Sequence, residues 1–235
     1  MKIVYWSDYS CPYCYIGEAR LRKAIGCISN MEKVEVEMKS FQLDPTAGEH
    51  AVRDTQTRFA KKYGLSMEMA GSQIKHISEM GREEGLDFRY ATTRFTNTMD
   101  AHRLTKLAQK KGSEIADRII DRLFQAYFSE NLELADHDLL QRIGVECGLP
   151  ADEVQEVLGS DQYRDEVILD EREAERYGIH AVPFFVVAGK YGISGAQSVE
   201  GMKTVLRKAL DESMIQLANG AEGMSCGPDG CRIGG

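Results

Sequence analysis

The spacing of apolar residues changes period twice along the chain. Met1 to Trp6 is short, apolar and rich in β-formers, as a strand buried on both faces would be. From Pro12 the positions Ile16, Ala19, Leu21, Ala24, Ile25 and Ile28 fall at helical spacing, and Pro12 suits a first helical position, where its missing N–H costs nothing. Val34, Val36, Met38 and Ser40 alternate with charged neighbours, predicting a second strand that ends near Pro45. Residues 49–177 are different: Glu, Lys, Arg, Ala, Met and Leu recur at helical spacing with no β-rich run. Helices are predicted over 51–63, 67–84, 98–111, 114–129, 137–147, 151–158 and 162–177, with Gly64, Gly112, Gly148 and Gly178 as C-caps and Ser66, Asn97, Ser113, Asp136 and Asp161 as N-caps. Strand character returns at Val182–Val187, turns at Gly189-Lys190 and resumes at Tyr191–Ser194, before a last helix over 199–217. The expected class is α/β, with a large all-helical insertion between the second and third strands.

Composition adds bounds to this picture. With 235 residues and 43% of them hydrophobic, the chain can bury a sizeable core in one or two domains. A formal charge of −8 argues against a nucleic-acid backbone or an anionic membrane as partner, and disfavours acidic substrates. The apolar run from Ile3 stops at Asp8, too short for a secretory signal, and no stretch is long enough to span a bilayer. A cytoplasmic location is therefore expected. In that reducing setting six cysteines point to redox chemistry or metal binding rather than stable bridges.

Cys11-Pro12-Tyr13-Cys14 sits where the first strand meets the first helix. Cys11 then falls at the helix N-cap, where free N–H groups and the positive end of the dipole favour its thiolate. Cys14, one turn on, faces back toward Cys11, is expected to be more buried, and would serve as the resolving thiol. The same spacing also serves zinc sites. Far downstream Pro183 precedes an apolar strand. It reads either as a trans proline that opens the strand or as a cis proline against the cysteine pair, with the backbone of Val182 free to pair with a substrate peptide.

Ser7-Asp8-Tyr9-Ser10-Cys11-Pro12-Tyr13-Cys14, with Val182-Pro183-Phe184-Phe185-Val186 and Tyr191 to Gln197, resembles the DsbA-like thioredoxin family, in particular its FrnE branch. The resemblance covers nearly the whole chain. It implies a thioredoxin-like domain built from residues 1–48 and 178–217, an inserted helical domain at 49–177 and a flexible tail at 218–235. It implies an enzyme that forms, reduces or isomerises disulfides in proteins or small molecules, as a monomer or homodimer. The catalytic residues would be Cys11 and Cys14, with Pro12, Tyr13, Val182 and Pro183 contacting substrate. No metal or cofactor is implied beyond the redox-active disulfide, with glutathione as a candidate co-substrate. Asn97 to Arg103 would face the redox site by analogy, with a helix surface or interdomain contact as the alternative for His102 and Arg103.

Other readings stay open at this point. The superfamily's 2-hydroxychromene-2-carboxylate isomerases and kappa-class glutathione transferases are similar in architecture but commonly carry serine where Cys11 stands. In the tail, Cys226-Gly227-Pro228-Asp229-Gly230-Cys231 holds a turn signal between two thiols. The pair reads as a second redox centre relaying with the first, as an inert tail, or with Cys11 and Cys14 as a zinc-thiolate site. Cys27 and Cys147 read as small hydrophobes, and Met67, Met69 and Met80 as core filling, with an adaptable surface for unfolded clients as the alternative. Trp6 and Tyr9 are expected in the core.

Overall fold

The computed structural model describes residues 1–29, 34–51, 54–221, 226–227 and 230–231, with side chains up to Glu212. Strand β1 (Lys2–Ser7) lies between β2 (Glu35–Ser40), parallel to it, and β3 (Phe184–Val187), antiparallel. Strand β4 (Tyr191–Ser194) closes the sheet beyond β3, giving the order β2-β1-β3-β4. Burial on both faces explains the run of apolar residues in β1: Ile3, Tyr5 and Trp6 are all in the interior. Register places Tyr5 opposite Phe185, and their rings stack at 5.5 Å. Helix α1 (Pro12–Gly26) links β1 to β2 and packs against α9 (Val199–Ala221).

Among the described residues, seven α-helices fall between β2 and β3: α2 (Thr55–Tyr63), α3 (Met67–Glu83), α4 (Met99–Lys111), α5 (Ser113–Phe128), α6 (His137–Glu146), α7 (Ala151–Leu158) and α8 (Arg164–Arg176). A single-turn 3-10 helix at Tyr90–Thr92, too short to leave a periodic signal, precedes α4. The apolar core runs without a break from Ile3 and Ile16 on the sheet side to Phe124 and Leu140 in the insertion. Its seam is aromatic: Tyr15 of α1 stacks on Phe124 at 4.9 Å, and Phe88 stacks on Phe128 at 4.7 Å.

Several boundaries differ from the sequence reading for local reasons. Helix α2 begins four residues late, at the Asp54 N-cap, whose carboxylate accepts from the Thr57 N–H at 2.8 Å. Asn97 caps from one position upstream of the N-cap Thr98, accepting from the Met99 N–H at 2.8 Å. Ser113 is already helical, because Gly112 at φ 122° serves as both the end of α4 and the start of α5. Asp161 caps nothing; α8 starts behind Tyr163, whose φ of 65° turns the chain. Ser66 and Asp136 cap as expected. Helix α9 continues past Leu217 to Ala221.

Candidate active site

The loop after β1 is shaped by one carboxylate. Asp8 accepts from the Ser10 backbone at 3.2 Å, the Ser10 hydroxyl at 2.9 Å and the Leu43 backbone at 2.8 Å. It therefore ties the residues before Cys11 to the chain beyond β2. His102 of α4 approaches from behind, its Nε2 3.5 Å from Asp8 Oδ1, and its ring packs 5.0 Å from that of Tyr9. Burial pushes the Asp8 carboxyl up, but the His102 imidazole, the Leu43 N–H and the Ser10 hydroxyl outweigh it and hold Asp8 below the usual carboxylate range. His102 is fully buried. It is an interior contact behind the cysteine loop, and neither a surface residue nor exposed to substrate.

With that loop fixed, Cys11 is the N-cap of α1 and Pro12 its first residue. The Cys11 side chain makes no capping hydrogen bond. Its Sγ instead points to the carbonyl oxygen of Val182 at 3.5 Å, and the Val182–Pro183 bond is cis. The trans reading of Pro183 is thereby removed. Helix α1 comes so close to this segment that a methyl group at Gly17 would sit 2.9 Å from Pro183 Cγ and 3.3 Å from Phe185 Cζ; only glycine fits there. Cys14 is completely buried one turn further on. Burial pushes its thiol well up, and the adjacent Cys11 sulfur raises it further. Both cysteines are free thiols. Cys11 is itself only 4% exposed but borders a cleft, while Cys14 at 0% lies beneath it.

A cleft of about 950 Å³ opens over Cys11. Ser10 to Tyr13 and His180 to Val182 form one side, Phe41 to Asp44 the floor, and α2 the opposite wall. Tyr13 stands 37% exposed at its rim. All of Cys11, Pro12, Tyr13 and Val182 line this cleft, with buried Pro183 directly behind Val182. The sequence reading missed Asp8, Gly17 and the α2 wall. Asp8 and Gly17 act through contacts that no local pattern encodes, whereas Arg58, Lys61 and Lys62 at helical spacing were a signal available to be read.

Other expectations sort as follows. Arg103 faces away from the cysteines and ties α4 to the loop before α8, donating to the carbonyls of Val157, Ser160 and Gln162 and pairing with Asp100 at 2.6 Å. Met67 and Met69 are not core: at the first turn of α3 they are 48% and 55% exposed. Met80 is half-buried against the core. Cys147 is buried and Cys27 exposed. Among the described residues, no three His, Cys, Asp or Glu side chains are grouped so as to hold a metal ion. No described helix is long and apolar enough to cross a membrane. In the tail, the backbone of Cys226–Gly227 pairs antiparallel with Gly230–Cys231; the side chains of Cys226 and Cys231 lie outside the described residues.

A crystal structure of a probable DsbA oxidoreductase from Streptomyces coelicolor matches with 35% identity over 100% of both chains and a TM-score of 0.84. An uncharacterized Bacillus subtilis protein, YwbO, is 28% identical over 222 residues, covering 90% of this chain and 96% of that one. The cytosolic disulfide reductase DsbM of Pseudomonas aeruginosa, also solved with GSH, shares the fold at 15% identity and a TM-score of 0.60 over 90% of this chain and 99% of that one. The DSBA-like thioredoxin domain model matches residues 2–207, and the chain belongs to that family.

Proposed function

We propose that Cys11 is the nucleophile and Cys14 the resolving thiol of a thiol-disulfide oxidoreductase of the FrnE branch, working in the cytoplasm. The observation that carries this reading is the asymmetry of the pair: Cys11 lines an open cleft while Cys14 is wholly enclosed. In the reducing direction the Cys11 thiolate attacks one sulfur of a substrate disulfide. A Cys11–substrate bond forms, the substrate S–S bond breaks, and the first product leaves as a thiolate that takes up a proton. Cys14 then loses its proton and attacks Cys11 Sγ, releasing the second product and leaving the Cys11–Cys14 disulfide. The substrate gains two electrons and the protein loses two. A dithiol or two monothiols such as glutathione restore the reduced pair by the reverse steps.

Burial pushes the Cys14 thiol well up, so the resolving step speeds as pH rises. The Cys226 and Cys231 thiols are a candidate relay that would pass electrons to this pair. Turbidity from insulin reduced by dithiothreitol tests the reading. The native chain should accelerate it, Cys11→Ser should abolish the acceleration, and Cys14→Ser should accumulate mixed disulfide on Cys11. Acceleration surviving Cys11→Ser would defeat the mechanism. Slower recycling after replacing Cys226 and Cys231 by serine would support the relay.

A further inference from the structure

We propose that the wall of the cleft formed by α2 is a carboxylate-recognition subsite, so that the Cys11 centre takes small peptide-like disulfides carrying negative charge beside the sulfur. The proposal rests on Cys11 being the nucleophile and goes further by assigning the charge of what it attacks. Three cations line this wall, Arg58, Lys61 and Lys62. At i, i+3 and i+4 they share one face of the helix. Tyr63, the last residue of α2, lines the same cleft as Cys11.

Among the described residues these cations meet no acid, whereas most other cations do. Among the described residues, no carboxylate lies within ion-pair distance of Arg58, Lys61 or Lys62, although the whole protein carries a charge of −8. Elsewhere in the insertion Arg103, Lys106, Lys111, Arg118 and Arg122 each meet an acid within 3.3 Å. The helix dipole accounts for Lys61 and Lys62 in the last turn of α2, but Arg58 lies outside that turn. Its guanidinium is fixed over the Phe95 ring, 3.5 Å from the centroid, and also acts on the buried Tyr127 hydroxyl; the ring contact orients the planar fork, whose remaining donors are available to a carboxylate.

Two further features of the cleft agree. Asp44, the carboxylate on its lining, is engaged by its own turn, accepting from the Thr46 N–H at 3.1 Å and hydroxyl at 2.7 Å. Gln42, buried in the floor, has an Nε2 with no acceptor among the described residues. Buried amide donors without partners are uncommon, and Gln42 borders both this cleft and a neighbouring one lined by Asn97 and Asp100. At about 950 Å³ the cleft has the size of a small-ligand site, these running to about 1,000 Å³. The overall negative charge, which disfavours acidic substrates, is thus reversed locally where it matters.

The test uses the full-length reduced chain and three small disulfides: oxidised glutathione, anionic; bis(2-hydroxyethyl) disulfide, neutral; and cystamine, cationic. Rates of oxidation of the cysteine pair are each divided by the rate of the same disulfide with free dithiothreitol, which removes intrinsic reactivity. At low ionic strength the normalised order should be anionic, neutral, cationic, spanning at least about tenfold and narrowing as salt is added. Lys61→Glu with Lys62→Glu should invert the order. Arg142→Glu with Arg207→Glu, the same change in net charge at exposed sites off the cleft, should preserve it. Equal normalised rates in the native chain, or equal shifts in both double variants, would overturn the subsite. If reaction with the neutral disulfide depends on Cys11 while the charge order is absent, the subsite alone falls. If that reaction persists in Cys11→Ser, the redox reading falls and the subsite with it.

Discussion

Helices α2 and α4 belong to the same insertion and both carry several basic residues, yet they treat charge in opposite ways. On α4, His102, Arg103 and Lys106 are buried, and each faces an acid: Asp8, Asp100 and Asp170 respectively. Asp170 is further fixed by the Ser40 backbone N–H at 2.8 Å and by Lys39 at 3.4 Å. On α2, Arg58, Lys61 and Lys62 border open space and meet no acid among the described residues. A buried charge must be matched where it stands, because desolvation without a partner costs several kcal/mol. A charge on a cleft wall can wait for a ligand. Residue type alone does not separate scaffold from recognition; the presence or absence of a local counter-charge does.

The sharpest way to break this comparison is Arg103→Ala. It strips donors from three backbone carbonyls and leaves Asp100 without its guanidinium. Removing one member of such a buried network costs about 3–5 kcal/mol, so urea unfolding should show a loss of that size. Arg103→Lys should recover only part of it, since an ammonium lacks the planar fork. A loss below about 1 kcal/mol would mean that α4's charges are not structural.

Glu18 of α1 offers a smaller, pH-dependent contrast. Buried against α5, it has one oxygen 2.9 Å from Arg22 and the other without a hydrogen-bond partner among the described residues. Burial pushes its pKa up to about 7; Arg22 opposes this and the charge of Asp121 assists it. The folded chain therefore binds more protons than the unfolded one between an ordinary glutamate's pKa and about pH 7. Stability falls as pH rises through that window and levels off above it, by about 3 kcal/mol. Glu18→Gln should flatten this slope, matching the native chain near pH 5 and exceeding it at pH 8. Parallel stability curves for the two proteins would contradict the assignment.

The smallest effect is expected on the cleft wall. Lys61→Ala with Lys62→Ala should shift unfolding free energy by no more than about 0.5 kcal/mol, as for exposed residues outside any network. A larger loss would show that these lysines support α2 itself.

What could be read from the sequence follows the range of each interaction. The cysteine pair at a strand-to-helix junction is a local feature, and so are most helices, because i to i+4 periodicity is written within one element. Pro183 was legible as a residue, but its isomer and its nearness to Cys11 depend on β1 and β3 pairing across the insertion. Asp8 looked like an interruption of an apolar run, though its partners Leu43 and His102 are 35 and 94 positions away. Gly17 gave no signal in a helix otherwise suited to a side chain, because what excludes one there is Pro183. The methionines at the start of α3 fitted a helical stripe, and only tertiary packing shows that this end of the stripe is left in solvent.

The missing side chain at Gly17 has a mechanical consequence. Helix α1, Pro183, Phe185 and the Ala196 backbone meet there with no slack, so the flank carrying the reactive sulfur behaves as a fixed jaw. Any extra bulk on an incoming molecule has to be accommodated by the opposing jaw. Tolerance for the size of what enters is therefore expected to depend on the α2 residues that share the cleft with Cys11, such as Phe59 and Tyr63.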